Sequence, residues 1–577
     1  MHTETKPISA DAAAPVAGQP TSAVPGGRTP LIARGFLLTF VMVTSLFFLW
    51  AFPNTFNDVL IKQFIKSLEL SEGQTGFLPF ALKTGYFFLA IPAGLFMQRW
   101  GYKNGILAGL VLFAAGCFLF YPAAHSREFS IFLGGIFVMA GGCAFLEIGA
   151  NSFVVNLGHK DTSERRLNLA QSFNPIGGIT AAALGTVFIF SGIEPKDHTV
   201  AIWKNTPAVE VYQAVQASGG AANAKAYFTE EFFKEHPRLG TKNLSPVGDP
   251  SKKIEAVPVP IGDKLDAELT AWGQFFGRER TPEELARWRS AGNGRGATAY
   301  EAFVEAENLR VFPTYVTLGA LVVLMALVMW RAPFPEIAAP AKGSSDPGAP
   351  KGSFRGLLRY PHWWGAIVSQ FFYLGAQLGT WSFLINYVKD NTGLGEKQAG
   401  AILVVNMVVF MVGRFLSTYL MKFVRPQRLM GAYACINITL VSVAILGSKW
   451  AAVRYGSPLH GWAVSLPFGL LDEPLPVGIF ALVATTLFMS LMYPTNFASG
   501  MKGLGPNAKL GASILVMSLI GGAVLSAVMG VIWGSQWAQL PHGAKAVAPA
   551  LVVPIVSYCV IAWYAFLGSR PRGPIYD

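Results

Sequence analysis

The chain has 577 residues, 52% of them hydrophobic and only 14% charged, with a mean hydropathy of +0.41. Ordinary soluble domains carry about 25% charged residues, so the composition excludes a water-soluble globular protein and indicates a polytopic membrane protein. The formal net charge of +12 fits the Lys/Arg excess of a cytoplasmic membrane face better than a nucleic-acid surface.

Residues 1–34 open the chain as an Ala/Pro/Thr/Gly-rich segment that reads as a disordered cytoplasmic tail without a cleavable signal. Twelve candidate spans follow, near 35–63, 74–97, 104–123, 130–157, 166–192, 311–331, 363–388, 397–421, 428–448, 476–500, 508–534 and 547–569. The first five make up an N-terminal half over 35–192, the polar stretch 193–310 is an insert, and 311–331 is the sixth span. A Pro/Gly/Ser-rich linker over 332–361 leads to a C-terminal half, 362–569, and a tail, 570–577. Within the insert, Thr281-Pro282-Glu283-Glu284 reads as a helix start, with a capping Thr, Pro at the first position and acids in the first turn.

Lys and Arg set the expected orientation. Arg99 and Lys103, Lys160, Arg165 and Arg166, Lys422, Arg425 and Arg428, and Lys502 and Lys509 crowd alternate short loops. This bias places both termini and the linker in the cytoplasm, and the insert outside.

The two halves repeat. A shift of 324 residues lays Phe47-Phe48 on Phe371-Phe372 and Glu72-x-Gln74-x-Gly76 on Glu396-x-Gln398-x-Gly400. A shift of 344 lays Phe153 on Phe497 and Gly177-Gly178 on Gly521-Gly522. The expected fold is therefore an all-α membrane protein of twelve transmembrane helices, in two parallel six-helix repeats with an outer polar insert. Such repeats are a transporter architecture with the ligand between them. The glycine pairs are expected where helices approach closely.

Two acids interrupt apolar runs, Asp58 and Glu147. A carboxylate at bilayer depth costs roughly 2.5–3.5 kcal/mol on insertion scales, and such groups usually serve ion or proton paths. Their repeat partners are Ser382 and Leu491, so proton handling is assigned to the first half. The spans also hold amides that suit a neutral polyhydroxyl ligand: Asn54, Asn57, Asn151, Gln171, Asn174, Gln370, Gln377 and Asn406. About half of such residues serve packing. Trp381, four residues after Gln377, is a stacking candidate. Arg99 and Lys103 read either as gate latches or as topology charges, and Arg414 as a pairing or capping group with no substrate role. The four cysteines, Cys117, Cys143, Cys435 and Cys559, all lie in apolar runs and form no CxxC pair, which argues against disulfides and zinc. Motifs of metalloproteases, P-loop enzymes and serine hydrolases are lacking, so no metal, cofactor or enzymatic activity is expected.

The segments NTFNDVLIKQF, FLEIGANSFVVNLG, RLNLAQSFNPIGG, GAQLGTWSFLINY, VGRF and YPTNFASGMKGLG resemble the bacterial L-fucose permeases. These form the fucose–galactose–glucose:proton symporter branch of the major facilitator superfamily. The resemblance covers nearly all the spans but not 1–34 or most of 193–310. It implies alternating-access import of a neutral hexose or deoxyhexose with protons. It also implies proton coupling and sugar recognition at Asp58 and Glu147, with Asn174 in the same site. The implied protein is an inner-membrane carrier, read as monomeric, with the lipid bilayer, a small neutral sugar and protons as partners and no nucleic acid. Lys62, Lys83 and Gln98 depart from the branch's pattern; Lys62 is read as snorkelling to the interface, with an Asp58–Lys62 pair on one helix face as the alternative, and Lys83 as pairing with either acid. Sodium coupling, uniport and a non-transporting sugar sensor are the competing readings.

Overall fold

The computed structural model describes residues 30–32, 35–56, 77–126, 128–188, 204, 207–217, 275–291, 294, 296–332, 334, 352–392, 394, 396–464, 474–540 and 545–571. Asn57, Asp58 and Lys62 lie outside the described residues, as do most of the N-terminal tail, the linker and much of the insert.

In chain order the first half comprises α1 (Leu37–Phe56), α2 (Phe77–Ser126), α3 (Phe129–Asn156), α4 (Ser163–Gln171) and α5 (Phe173–Phe188). The insert contributes α6 (Ala208–Ala217) and α7 (Pro282–Ser290), and α8 (Ala299–Arg331) completes the half. The second half comprises α9 (Pro361–Thr392), α10 (Glu396–Leu420), α11 (Pro426–Leu446), α12 (Val477–Met489), α13 (Met492–Met501), α14 (Ala508–Met517), α15 (Gly521–Gly534) and α16 (Val552–Trp563). Helix α2 is two passes joined at Gly101, whose φ of 83° breaks the helical path in a region that favours glycine. Pairs α4–α5, α12–α13 and α14–α15 each make one pass with a local break. The elements therefore supply twelve passes.

Among the described residues, nine stretches are long and apolar enough to span a membrane by composition alone. The passes that miss this test include α4–α5 and α9. These carry Asn168, Gln171 and Asn174, and Gln370 and Gln377. Amides on a pass lower its hydropathy, and they are tolerated where neighbouring helices shield them from lipid.

The repeat is visible in the packing. A Cβ on Gly177 would sit 2.2 Å from the Phe48 carbonyl oxygen, and one on Gly521 would sit 2.1 Å from that of Phe371. At these equivalent places the helix backbones of α5 and α1, and of α15 and α9, approach too closely for any side chain.

The loop after α3 is organised by Arg166, which is fully buried. Its Nε donates to the Val154 carbonyl at 2.7 Å, Nη2 to that of Val155 at 2.6 Å and Nη1 to Thr162 Oγ1 at 2.9 Å. The guanidinium thus adds donors to carbonyls in the last turn of α3, where a helix runs short of its own. Its proximity to Lys160 and Arg165 in sequence had indicated only a topology charge.

In the insert, the expected start at Thr281 is a full capping box: Thr281 Oγ1 accepts from Glu284 N at 3.2 Å, and Glu284 Oε2 accepts from Thr281 N at 3.1 Å. A second box, Thr298 with Glu301, starts α8. The apolar stretch Pro313–Arg331 is therefore the end of a longer helix that begins inside the insert. A separate small core of Val211, Val215, Phe275, Phe276, Trp288 and Phe303 holds α6, α7 and the start of α8 together. Arg280 lies between the rings of Phe275 and Trp288, at 4.8 and 5.1 Å.

Candidate functional site

Glu147 sits inside α3, nine residues before its end at Asn156. At 1.5 Å per residue that is about 14 Å of helix, near the middle of a hydrocarbon core of about 30 Å. The side chain is 6% exposed. Its Oε1 accepts a hydrogen bond from Tyr493 Oη on α13, across the boundary between the halves.

Tyr493 belongs to a longer chain of hydrogen bonds. Asn151, one helical turn after Glu147, donates from Nδ2 to Tyr493 Oη at 3.3 Å. Gln171 donates from Nε2 to Asn151 Oδ1 at 2.9 Å. Arg414 on α10 donates from Nη1 to Gln171 Oε1 at 3.1 Å and to the Gln171 carbonyl at 2.6 Å. Three sequence candidates, Glu147, Asn151 and Gln171, thus meet in one network. Its other two members, Tyr493 and Arg414, come from the second half. Lys83 on α2 and Arg414 both lie within electrostatic reach of Glu147.

The second half presents a different kind of surface. Gln370, Tyr373, Gln377 and Trp381 recur on α9 at helical spacing and share a face. The Tyr373 ring lies 6.3 Å from that of Tyr493, so this face borders the Glu147 network. Gln370 is fully buried, and neither of its amide atoms completes a hydrogen bond within the protein. Asn406 Oδ1 accepts from Thr486 Oγ1 at 2.6 Å, while its Nδ2, the Asn496 Nδ2 and the Trp381 Nε1 complete none. A buried polar group without a partner costs about 1–3 kcal/mol. Polar ligand or water supplies such partners at binding sites. Trp381 meets Phe410 edge to face at 5.2 Å, and the Arg414 guanidinium lies over the same Phe410 ring at 4.7 Å.

Other candidates are engaged in packing or lie elsewhere. Asn174 Nδ2 donates to the Phe47 carbonyl at 3.0 Å, tying α5 to α1. Asn54 Nδ2 reaches the Trp50 carbonyl of its own helix at 3.4 Å. Lys103 Nζ binds the Trp330 and Ala332 carbonyls at 2.9 and 2.7 Å, capping α8 within its own half. Arg99 lies over the Trp100 ring at 5.0 Å. Gln98, at the departure from the loop pattern, donates to the Gly352 carbonyl at 2.8 Å.

One end of the interface between the halves is latched. Glu164 on α4 is 1% exposed. It pairs with Lys502 and accepts from Gln427 Nε2 at 2.7 Å. Asn168 donates to the Arg414 carbonyl at 2.9 Å and to Thr418 Oγ1 at 2.8 Å, and Arg165 Nε donates to the Thr418 carbonyl at 3.2 Å. These first-half side chains all grip the second half beside the loops that the charge bias places in the cytoplasm.

The model of the Major Facilitator Superfamily matches residues 26–208. An L-fucose-proton symporter of Escherichia coli (strain K12) is 29% identical over 539 residues, covering 93% of this chain and 94% of its own. The crystal structure of FucP in the outward conformation superposes with a TM-score of 0.63 at 29% identity, covering 93% of this chain and 100% of that one. The chain resembles the L-fucose-proton symporters and shares the major facilitator fold. A glucose/galactose transporter of Brucella abortus is 25% identical over 538 residues, covering 93% of this chain and 95% of its own. Like these relatives, which are transporters, the chain is a multi-pass helical membrane protein in two halves.

Sequence reasoning did not find Tyr493, Glu164 or Asn168, and gave Arg414 no role in the site. The repeat comparison examined position 491, opposite Glu147, and so passed over Tyr493 two residues later. The words RLNLAQ and YPTNF did hold the signal, since both place polar residues inside apolar passes.

Proposed function

We propose that the chain is a secondary active transporter that imports a neutral hexose or deoxyhexose with protons by alternating access. The observation that carries this reading is Glu147: a carboxyl buried at mid-pass and hydrogen-bonded across the halves beside unpartnered neutral amides. A carboxyl in that position can take up and release a proton, and the amides offer donors and acceptors to sugar hydroxyls without a charge to desolvate. L-fucose, galactose and glucose are the first substrates to test, because they name the substrates of the relatives.

In this cycle Glu147 is protonated, and sugar binds from outside against Gln370, Gln377, Asn406 and Trp381. Asn151 and Gln171 hold the acid's surroundings in place. The latched end then opens, and sugar and proton leave inside. Asp58 and Asn57 are assigned to the same proton and sugar path on their position in the sequence, and Asn54 and Asn174 to its lining. Arg99 and Lys103 are assigned to the cytoplasmic gate region. The carrier sits as a monomer in the inner membrane with both termini in the cytoplasm and the insert outside. The experiment is uptake by proteoliposomes of labelled L-fucose, D-galactose and D-glucose under an imposed inward proton gradient. Accumulation that collapses with a protonophore and is indifferent to sodium supports the reading; sodium-dependent accumulation, or none for any of these sugars, overturns it.

A further inference from the structure

Arg414 is a buried cation inside a membrane pass, 5% exposed. Among the described residues, no carboxylate lies within ion-pair distance of it. Arginine keeps its charge even when buried, and a charge at this depth with no described carboxylate beside it calls for an explanation. The network supplies a direction. Arg414 donates to Gln171, Gln171 to Asn151, Asn151 to Tyr493, and Tyr493 to Glu147. Every donor points the same way, with a cation at the donor end and a carboxyl at the acceptor end. Hydrogen bonds in such a chain polarise one another, and the arrangement favours negative charge at its last acceptor.

The chain also crosses the boundary between the halves three times: Arg414 and Tyr493 belong to the second half, Gln171, Asn151 and Glu147 to the first. Lys83, the other cation in reach of Glu147, is on the same half as the acid. It travels with Glu147 when the halves rock, whereas Arg414 moves relative to Glu147. Of these two cations, Arg414 is therefore the one whose attraction to an ionised Glu147 depends on which way the carrier faces.

We propose that Arg414 is the positioning residue for the return of the empty carrier: ionised Glu147 draws it across the boundary and so closes the latched end. The proposal rests on the reading of Glu147 as the proton-carrying acid. The step balances simply. The Glu147 O–H breaks, its proton passes to water on the inner side as sugar leaves, and the carboxylate keeps the electron pair. The resulting negative charge favours the arrangement in which Arg414, Gln171 and Asn151 are in register with it. Binding of the next proton removes that attraction and frees the loaded carrier to open inward. A charge that interacts differently with the two arrangements shifts their populations; one that does not has no effect.

The test separates exchange from net transport in proteoliposomes, using whichever of L-fucose, D-galactose or D-glucose is carried. Counterflow under saturating sugar on both sides shuttles loaded, protonated carrier and never needs the empty return. Net uptake needs it at every turnover. Arg414→Gln is expected to keep counterflow within about threefold of wild type, while gradient-driven uptake falls at least tenfold through kcat with KM little changed. Arg414→Lys, which retains the charge, is expected to restore most of the uptake. Lys83→Gln is expected to change both assays together. Parallel loss of counterflow and uptake in Arg414→Gln, or wild-type uptake in it, overturns the proposal. If Arg414→Gln does not reach the membrane, Arg414→Lys decides: parallel loss of both assays there assigns Arg414 to holding Gln171 alone. Glu147→Gln in the same assays isolates the underlying reading. Undiminished accumulation in Glu147→Gln removes the acid from coupling, whereas lost accumulation with intact uptake in Arg414→Gln sinks only the role of Arg414.

Discussion

The Tyr493 hydroxyl joins Glu147 of one half to the other half. Tyr493 donates to Glu147 and accepts from Asn151, so it spans the boundary that must part during transport. Hydrogen bonds to a charged group contribute about 1.5–3 kcal/mol, which is roughly 10- to 150-fold in an equilibrium or rate. Tyr493→Phe keeps the ring's packing against Tyr373 and Phe497 and removes only that hydroxyl. Gradient-driven uptake is expected to fall at least tenfold with thermal stability nearly unchanged; uptake within twofold of wild type would dismiss Tyr493 from the site. Glu147→Gln retains shape and mimics the protonated acid. Accumulation against a gradient is expected to vanish while sugar counterflow survives, measured in the same vesicles. The acids were legible in the sequence because charge in an apolar run is conspicuous. Tyr493 was not, because a tyrosine in an apolar run is ordinary, and only its position opposite Glu147 gives it meaning.

Helix ends, more than helix bodies, hold the two halves together at the latched end. Glu164 lies at the start of α4, Lys502 just past the end of α13, and Gln427 at the start of α11. Gln427 also donates to Ser499 Oγ at 3.1 Å, which orients its amide toward Glu164. Three helix ends thus converge on one buried carboxylate. Breaking a buried, hydrogen-bonded ion pair costs about 3–5 kcal/mol when one charge is left stranded. Lys502 is half-exposed, with 31% of its side chain accessible, so the cost here is expected at or below the lower end. Glu164→Gln should favour opening at this end. Amide hydrogen exchange across 157–166 and 499–504 is expected to quicken at least fivefold in the sugar-free protein. Unchanged exchange there would show that Asn168 and Arg165 carry the latch without Glu164. The sequence placed these residues in loops and gave the basic ones a topological role. It could not pair them, since Glu164 and Lys502 are separated by most of the chain.

For the molecule as a whole, the insert is the largest departure from a plain pair of six-helix halves. It has its own small core around Phe276 and Trp288, and its last helix runs without interruption into the sixth pass. None of the residues in the Glu147 network comes from it. Replacing roughly 200–295 with a short flexible loop, leaving the Thr298 cap of α8 intact, is expected to preserve which sugar is carried, because loop-closure free energy changes slowly with length. The same replacement exposes the apolar start of α8, so a lower melting temperature is expected in detergent. A well-folded deletion variant with altered sugar preference in uptake competition would place the insert in the selectivity apparatus.

What the sequence by itself determined is what periodicity and composition encode: membrane passes, their duplication, the one-sided acids and the caps at Thr281. These are local or repeating properties, and each is set by residues a few positions apart or by a constant offset. The glycine pairs belong here too, since a residue without a side chain at equivalent places in both halves announces a close approach. The tertiary structure alone decided which polar residues meet. It joined Glu147 to Tyr493, Gln171 to Arg414 and Glu164 to Lys502, and it turned Asn174 and Lys103 to backbone carbonyls. The physical reason is that every pass must bury its polar groups inward, so all of them look alike in sequence. Which inward group finds which partner depends on the rotation and depth of helices hundreds of residues apart.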